Sequence, residues 1–232
     1  MSFSVIVSSP PVFVLRTEHP CLPSAFRSST SVPRILSTTS VVRYLSQAAA
    51  PPLENFAEST TGGLLQALGA GGIDPAGVVL QIEPGRSLFA NCGIHLSRVC
   101  HVKRQEGPVP RTWIELDTTE MFLPDLFMEH AYFRPLFASR ADAKCFERVE
   151  IVGQSCNFDL LARDVEAPTT ALGDVIAFLD TGAYQDAAAS NFNALTRPAT
   201  VLVTENRSIL IKRHETLEEI FARDLPLPRS AP

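Results

Sequence analysis

The chain is poor in lysine: only Lys103, Lys144 and Lys212 occur in 232 residues, and none precedes position 103. Its formal net charge of −5 argues weakly against nucleic acid or an anionic membrane as partner, since both usually require a basic face. The chain also lacks long apolar runs. The longest candidates, Val175–Leu179 and Ile209–Ile211, are strand-sized, far short of the roughly 18 residues that cross a bilayer. No C-x-x-C occurs. Cys21, Cys92, Cys100, Cys145 and Cys156 are odd in number and match no zinc spacing, so neither a metal centre nor a disulfide-stapled framework is expected. A reduced, cytoplasmic protein is the economical expectation. Internal repeats are absent. With 45% hydrophobic and 19% charged residues, the chain has the composition of one that buries a core.

The first fifty residues differ from the rest. They are crowded with Ser and Thr, carry Arg16, Arg27, Arg34 and Arg43, and hold one acid, Glu18. Three readings stand. The composition fits an organellar transit peptide. Val5, Val7, Val12, Val14 and Leu15 fit a short β segment. Unrelated sequence joined upstream of a shortened domain is the third, favoured because nothing before Pro51 shows βα alternation.

From Pro51 the pattern is globular. Leu53, Phe56, Leu64, Leu65 and Leu68 recur at helical spacing, and the Gly69–Gly72 cluster ends the helix. Val78–Ile82 follows as a continuously apolar segment of the kind buried in a parallel sheet. Helix, turn and buried strand make one unit of an α/β barrel or doubly wound sheet. Beyond Ser87 the chain is β-rich, with strands predicted at Leu96–Val102, Thr112–Leu116, Arg148–Gly153, Asp174–Leu179, Ala199–Val203 and Ile209–Lys212. Leu217–Ala222 closes it as a short helix. The expected organisation is an atypical segment of low order over 1–50, an α/β remnant over 51–90, a β domain over 91–225 and a tail over 226–232.

Three clusters carry chemistry. Glu83-Pro84-Gly85-Arg86 ends the predicted buried strand, where barrel active sites lie. Its glycine lets backbone N–H groups approach an anion, and its arginine offers bidentate pairing to phosphate. Gly153–Asp159 puts Cys156 in a polar loop just after a strand. Asp180-Thr181-Gly182-Ala183-Tyr184 combines small residues that permit close backbone approach with a tyrosine hydroxyl. Taken singly, these read as a surface turn, a small buried thiol and a core turn. The scattered histidines, including His95, His101, His130 and His214, have no ligand spacing, and Trp113 reads as a packing residue.

In this order and register, EPGRSLFANCGIHLSRV (83–99), GQSCNFDLLARD (153–164) and DTGAYQDAAASNFNALTRPATVLV (180–203) resemble the fold-type III pyridoxal-phosphate decarboxylases that act on ornithine, arginine and diaminopimelate. The diaminopimelate branch is closest in pattern. The resemblance runs from about Pro51 to Leu225 and leaves out the first fifty residues. It implies a mainly β C-terminal barrel or sandwich domain, like that of alanine racemase, preceded by a remnant of an α/β (TIM) barrel.

The resemblance further implies pyridoxal 5′-phosphate as cofactor and an amino acid as substrate. Glu83 would stand beside the pyridine nitrogen, Gly85 and Arg86 would contact the phosphate, and Tyr184 would approach from the β domain. Active sites in the family form at a homodimer interface. Cys156 would there act as general acid, protonating the α-carbon after CO₂ leaves, with Asn157 and Asp159 on the substrate side. Pairing with a full-length homologue is the related expectation.

Departures from the pattern are specific. The residue after the cysteine is ordinarily acidic, and here it is Asn157. Where diaminopimelate decarboxylases carry Arg-Pro…Leu-Tyr, this chain has Leu123-Pro124-Asp125-Leu126-Phe127. The lysine that carries the cofactor belongs upstream of EPGR, and no lysine precedes it here. About 35 barrel-like residues stand before Glu83, whereas a whole barrel needs roughly 200 or more. The sequence therefore predicts a decarboxylase-derived chain without its own cofactor lysine.

Overall fold

The computed structural model describes residues 3–7, 53–80, 85–157, 159–205 and 207–227. Among the described residues nine strands form the body: β1 (Phe3–Val7), β2 (Gly93–Gln105), β3 (Arg111–Leu116), β4 (Pro135–Phe137), β5 (Glu147–Val152), β6 (Leu160–Ala167), β7 (Val175–Leu179), β8 (Ala199–Val203) and β9 (Ser208–Lys212). They join in the order β6-β5-β3-β2-β1-β8-β9, with β7 also on β2 and β4 on β7. The result is a nearly closed, barrel-like sheet.

Strand β2 creates that closure. Its first half pairs with both β1 and β7, and its second half pairs with β3. The change of partners comes at a register shift between Val99 and His101, where an extra residue bends a strand and increases its twist. Before the shift, Gly93, His95, Ser97 and Val99 are buried in strict alternation; beyond it the strand is largely exposed. Between the two layers lie Val99, Ile114, Leu116, Leu123, Phe133, Phe137, Val149, Ile151, Leu161, Ile176 and Phe178. Most of these are inward-facing residues of a mixed, largely antiparallel sheet, joined by Leu123 and Phe133 from its connections.

All six predicted strands are present, each within a residue or so except β2, which is longer at both ends. Strands β4 and β6 are additions that the sequence does not announce. Of the three readings of the N-terminal segment, a short β segment holds for its start: β1 sits between β2, antiparallel, and β8, parallel. Val12, Val14 and Leu15, and the stretch to which a transit peptide or joined sequence would apply, lie outside the described residues. Cys145 is disulfide-bonded, against the expectation of a fully reduced chain, while Cys92, Cys100 and Cys156 are free thiols.

The segment before the sheet corrects one expectation. Helix α1 (Leu53–Ala70) forms and ends at a turn where Gly72 has φ +66°. Val78–Leu80 is not a strand, however, and Gln81 and Ile82 lie outside the described residues. A parallel strand needs neighbours to take its N–H and C=O groups. Among the described residues none is offered, and Val79 is 90% exposed. The α/β unit read from the sequence is not formed there.

Candidate active site

Four short helical turns cap one region of the sheet: α2 (Arg86–Phe89), α3 (Asp125–Met128), α4 (Gln185–Ala188) and the 3-10 turn Glu120–Phe122. They bring together three of the sequence clusters and one segment that the sequence marks only as a departure.

Arg86 opens α2. Its Nη1 pairs with Asp125 Oδ2, and its guanidinium carbon lies 4.9 Å from the centre of the Tyr184 ring. Gly85 is essential to this approach, since a Cβ there would overlap the Tyr184 hydroxyl. Tyr184 itself is held at φ +68°, a region that non-glycine residues rarely enter. The next residue, Gln185, is buried and clasps Asp125 twice: its Nε2 donates to Asp125 Oδ2, and its Oε1 accepts from the Asp125 amide at 3.3 Å. Gln185 Nε2 also donates to the Ala183 carbonyl at 2.9 Å. Asp125 is only 4% exposed. Arg86, Asp125, Gln185 and Tyr184 thus close a ring that joins the E-P-G-R cluster to the D-T-G-A-Y cluster.

The cysteine loop is built around Asp159, which is buried. Its Oδ1 accepts from the Glu120 amide at 2.6 Å, its Oδ2 from the Ser155 amide at 2.8 Å, and its carbonyl from the Gly153 amide at 2.8 Å. No side chain fits at position 153, because a Cβ would fall within the Asp159 carboxylate. Asn157 Nδ2 donates to Glu120 Oε1 at 2.6 Å. Glu120 is 9% exposed. Burial holds its carboxyl above the ordinary range, opposed by the Asn157 hydrogen bond and reinforced by the Asp159 charge. Cys156 is exposed and a free thiol, and its Sγ accepts from Asn193 Nδ2 at 3.4 Å.

The segment 120–128 therefore ties the two clusters together: Glu120 holds Asn157 at one end, and Asp125 holds Arg86 at the other. The Ser190 amide donates to the Met121 carbonyl at 3.0 Å, bringing the 190s loop with Asn193 onto the same segment. Of the residues singled out from the sequence, Gly85, Arg86 and Tyr184 meet directly. Cys156, Asn157 and Asp159 form the second cluster. Glu83 lies outside the described residues. Sequence reasoning misses Glu120, Asp125, Gln185 and Asn193. Nothing in local spacing marks them, since Asp125 reaches partners 39 and 60 residues away.

None of the three lysines contacts the Arg86 ring of residues. Lys103 lies over the Trp113 ring, Lys144 is exposed, and Lys212 pairs with Asp186 at 2.5 Å. His95, as expected of a lone histidine, belongs to the core. Its Nε2 lies 2.7 Å from Thr118 Oγ1, and burial lowers its pKa to about 4. No helix among the described residues is long and apolar enough to cross a membrane.

The donor set fits one end of the expected cofactor. A guanidinium engaged only through Nη1 among the described residues, an aromatic hydroxyl and a glycine backbone at close approach suit a phosphate. The lysine that would anchor the other end is not among these residues.

A nearly closed β domain carrying these motifs defines a class, that of the C-terminal sheet domains of decarboxylases. The profile of the pyridoxal-dependent decarboxylase C-terminal sheet domain matches residues 5–182, and the chain belongs to that family. The match starts inside β1, so the family relationship extends into the first fifty residues, beyond the stretch that the motifs cover. Diaminopimelate decarboxylase of Methanocaldococcus jannaschii is 36% identical over 152 residues, covering 64% of this chain and 33% of that enzyme. The Bacillus subtilis diaminopimelate decarboxylase is 34% identical over 150 residues, 63% of this chain and 33% of the enzyme. The crystal structure of the M. jannaschii enzyme in complex with L-lysine superposes with a TM-score of 0.64 at 30% identity, covering 79% of this chain and 41% of that one. The chain spans about a third of the length of the curated relatives it matches.

Proposed function

We propose that this chain supplies the phosphate-binding and proton-donating side of a pyridoxal-phosphate-dependent amino-acid decarboxylase, with the cofactor lysine coming from outside these 232 residues. The observation that carries the reading is the ring Arg86–Asp125–Gln185–Tyr184, which unites the two cofactor-facing motifs of the family in one rigid unit.

Bound pyridoxal phosphate supplies the electron sink that decarboxylation needs. Gly85 and Arg86 would hold the phosphate, Tyr184 would approach it from the β domain, and Glu83 would stand beside the ring nitrogen. Cys156 would serve as the proton donor to the α-carbon. Its exposed position suits a donor that acts on a site completed by a second subunit. Asn157 faces the substrate side with its amide steadied by Glu120, and Asp159 fixes the loop on which both Cys156 and Asn157 stand. The substrate is an amino acid. Leu123, Phe127 and Asn157, standing where diaminopimelate decarboxylases use arginine, tyrosine and an acid, argue for a compound other than diaminopimelate.

A second reading is favoured by the sheet itself. It buries its own core and seats β1 among its strands without help from a barrel. Such a domain can pair with a full-length homologue and regulate it without performing chemistry.

One titration tests the leading reading. Pyridoxal phosphate is added to the purified chain alone, then with a full-length homologue, with absorbance near 420 nm and borohydride trapping followed by peptide mapping. Phosphate-dependent binding with no lysine trapped on this chain is expected. Trapping on Lys103, Lys144 or Lys212 would show that the chain anchors the cofactor itself. Co-purification with the homologue without any change in cofactor binding would favour the regulatory reading.

A further inference from the structure

Asp125 has no counterpart among the family motifs. It lies in the very segment, Leu123–Phe127, where this chain departs from the diaminopimelate pattern. Its carboxylate is nonetheless nearly fully buried, and Oδ2 accepts from both the Arg86 guanidinium and the Gln185 amide. Gln185 grips the same residue a second time through the Asp125 backbone amide, so Asp125 is held by contacts other than Arg86.

We infer that Asp125 is a positioning residue that orients Arg86 for an anionic phosphate, acting as the fixed post of a bracket that Gln185 braces. This rests on the reading of Arg86 as the phosphate contact. Donor counting and entropy both support it. A guanidinium presents five N–H groups in a rigid fork, and Asp125 is bonded to one nitrogen only, Nη1. Among the described residues no other acceptor takes the remaining edges of Arg86, which can serve an anion. A free arginine side chain surrenders rotamer freedom when it engages a ligand. Held by Asp125 on one edge and by the Tyr184 ring on its face, Arg86 has already given up that freedom.

The bracket also couples two distant parts of the chain. Gln185 follows Tyr184 directly, so the grip on Asp125 sets the backbone of Tyr184 at its positive φ and holds the hydroxyl against Gly85. Loosening Asp125 should therefore disturb both phosphate contacts together.

The test compares binding of pyridoxamine 5′-phosphate with that of pyridoxamine by isothermal titration of the full chain. Neither ligand has an aldehyde, so neither reacts with surface lysines, and the affinity ratio isolates the phosphate. The wild-type chain should prefer the phosphorylated form, and Arg86→Ala should erase the preference. Asp125→Asn, close in shape but uncharged, should reduce the preference on the order of tenfold, the scale of one charge-assisted contact. A merely structural role would weaken both ligands alike and leave the ratio unchanged. If Asp125→Asn fails to fold by circular dichroism, Gln185→Met carries the test, with a smaller reduction expected. An unchanged or increased preference in a folded Asp125→Asn chain overturns the inference while leaving Arg86 as the phosphate contact. Loss of preference already in the wild type, or its persistence in Arg86→Ala, overturns the underlying reading instead.

Discussion

Two regions of this chain are built from similarly apolar sequence and end in opposite states. In the sheet, Phe178, Leu116 and Ile151 are fully buried between layers supplied by several strands. In the segment 53–80, Phe56, Leu65, Ile73 and Val79 form a helix and an extended run with their side chains in solvent. Apolar periodicity sufficed for the helix, but not for burial. An apolar face contributes stability only when a second surface removes it from water, at roughly 25 cal/mol per Å². The sheet contains that second surface within itself. The segment before it does not.

The sharpest way to break this contrast is a matched pair of truncations. Phe178→Ala should cost about 3–5 kcal/mol, through lost transfer energy plus an unfilled cavity, and should lower the thermal midpoint severely. Phe56→Ala should leave it within about 0.5 kcal/mol, as expected for an exposed side chain. Equal effects in a thermal melt would mean that α1 is buried against something in solution.

His95 offers a contrast within the sheet itself. Its burial next to Thr118 and Phe178 lowers its pKa from 6.5 to about 4. The folded state therefore disfavours the proton, so the contribution of neutral His95 is complete above pH 6.5 and is lost as pH falls towards 4. The loss should be on the order of 2–3 kcal/mol. Urea midpoints measured from about pH 7 to 4 should fall in the wild type and flatten in His95→Gln, after correction for its lower starting stability.

Gly153→Ala sharpens the comparison at the site. The added Cβ meets a carboxylate that backbone amides hold in place, so the loop must shift, at a cost of about 1–3 kcal/mol. Cys156 should at the same time react with a maleimide probe at an altered rate. An unaffected rate and melt would mean that the loop yields freely.

The smallest expected effect concerns the C-terminal end. Glu215 accepts from Arg197 Nη2 at 2.6 Å, from Arg197 Nε at 3.1 Å and from Asn191 Nδ2 at 2.5 Å, and these partners, Arg197 foremost, lower its pKa from 4.5 to about 2. Its contribution is present above pH 4.5 and disappears as pH falls to about 2. Glu215→Gln should cost about 1–2 kcal/mol near neutral pH, since charge-assisted hydrogen bonds are lost and Arg197 is partly exposed. That deficit should vanish in melts taken near pH 2.

Much of the fold was legible because strand signals are local. Trp113-Ile114-Glu115-Leu116 and Ala199–Val203 alternate or run apolar between turn residues, and they became β3 and β8. Strand β6 is hidden because Leu160–Ala167 carries Arg163, Asp164 and Glu166 on its outward face, and its opening residues read as the end of the cysteine loop. Strand β4, at three residues, is too short to leave a pattern.

The sequence by itself determined the β-rich class, the six clearest strands, helix α1, the family motifs and the absence of a lysine before position 103. These rest on periodicity, turn chemistry and composition, all carried by residues near one another in the chain. Only the tertiary structure decided that β1 belongs in the sheet, that Val78–Leu80 finds no strand partner among the described residues, and that Asp125 and Gln185 lock Arg86 to Tyr184. Those outcomes depend on which groups meet across 39, 60 or more residues, where a hydrogen bond or a buried face exists only once both partners are in place.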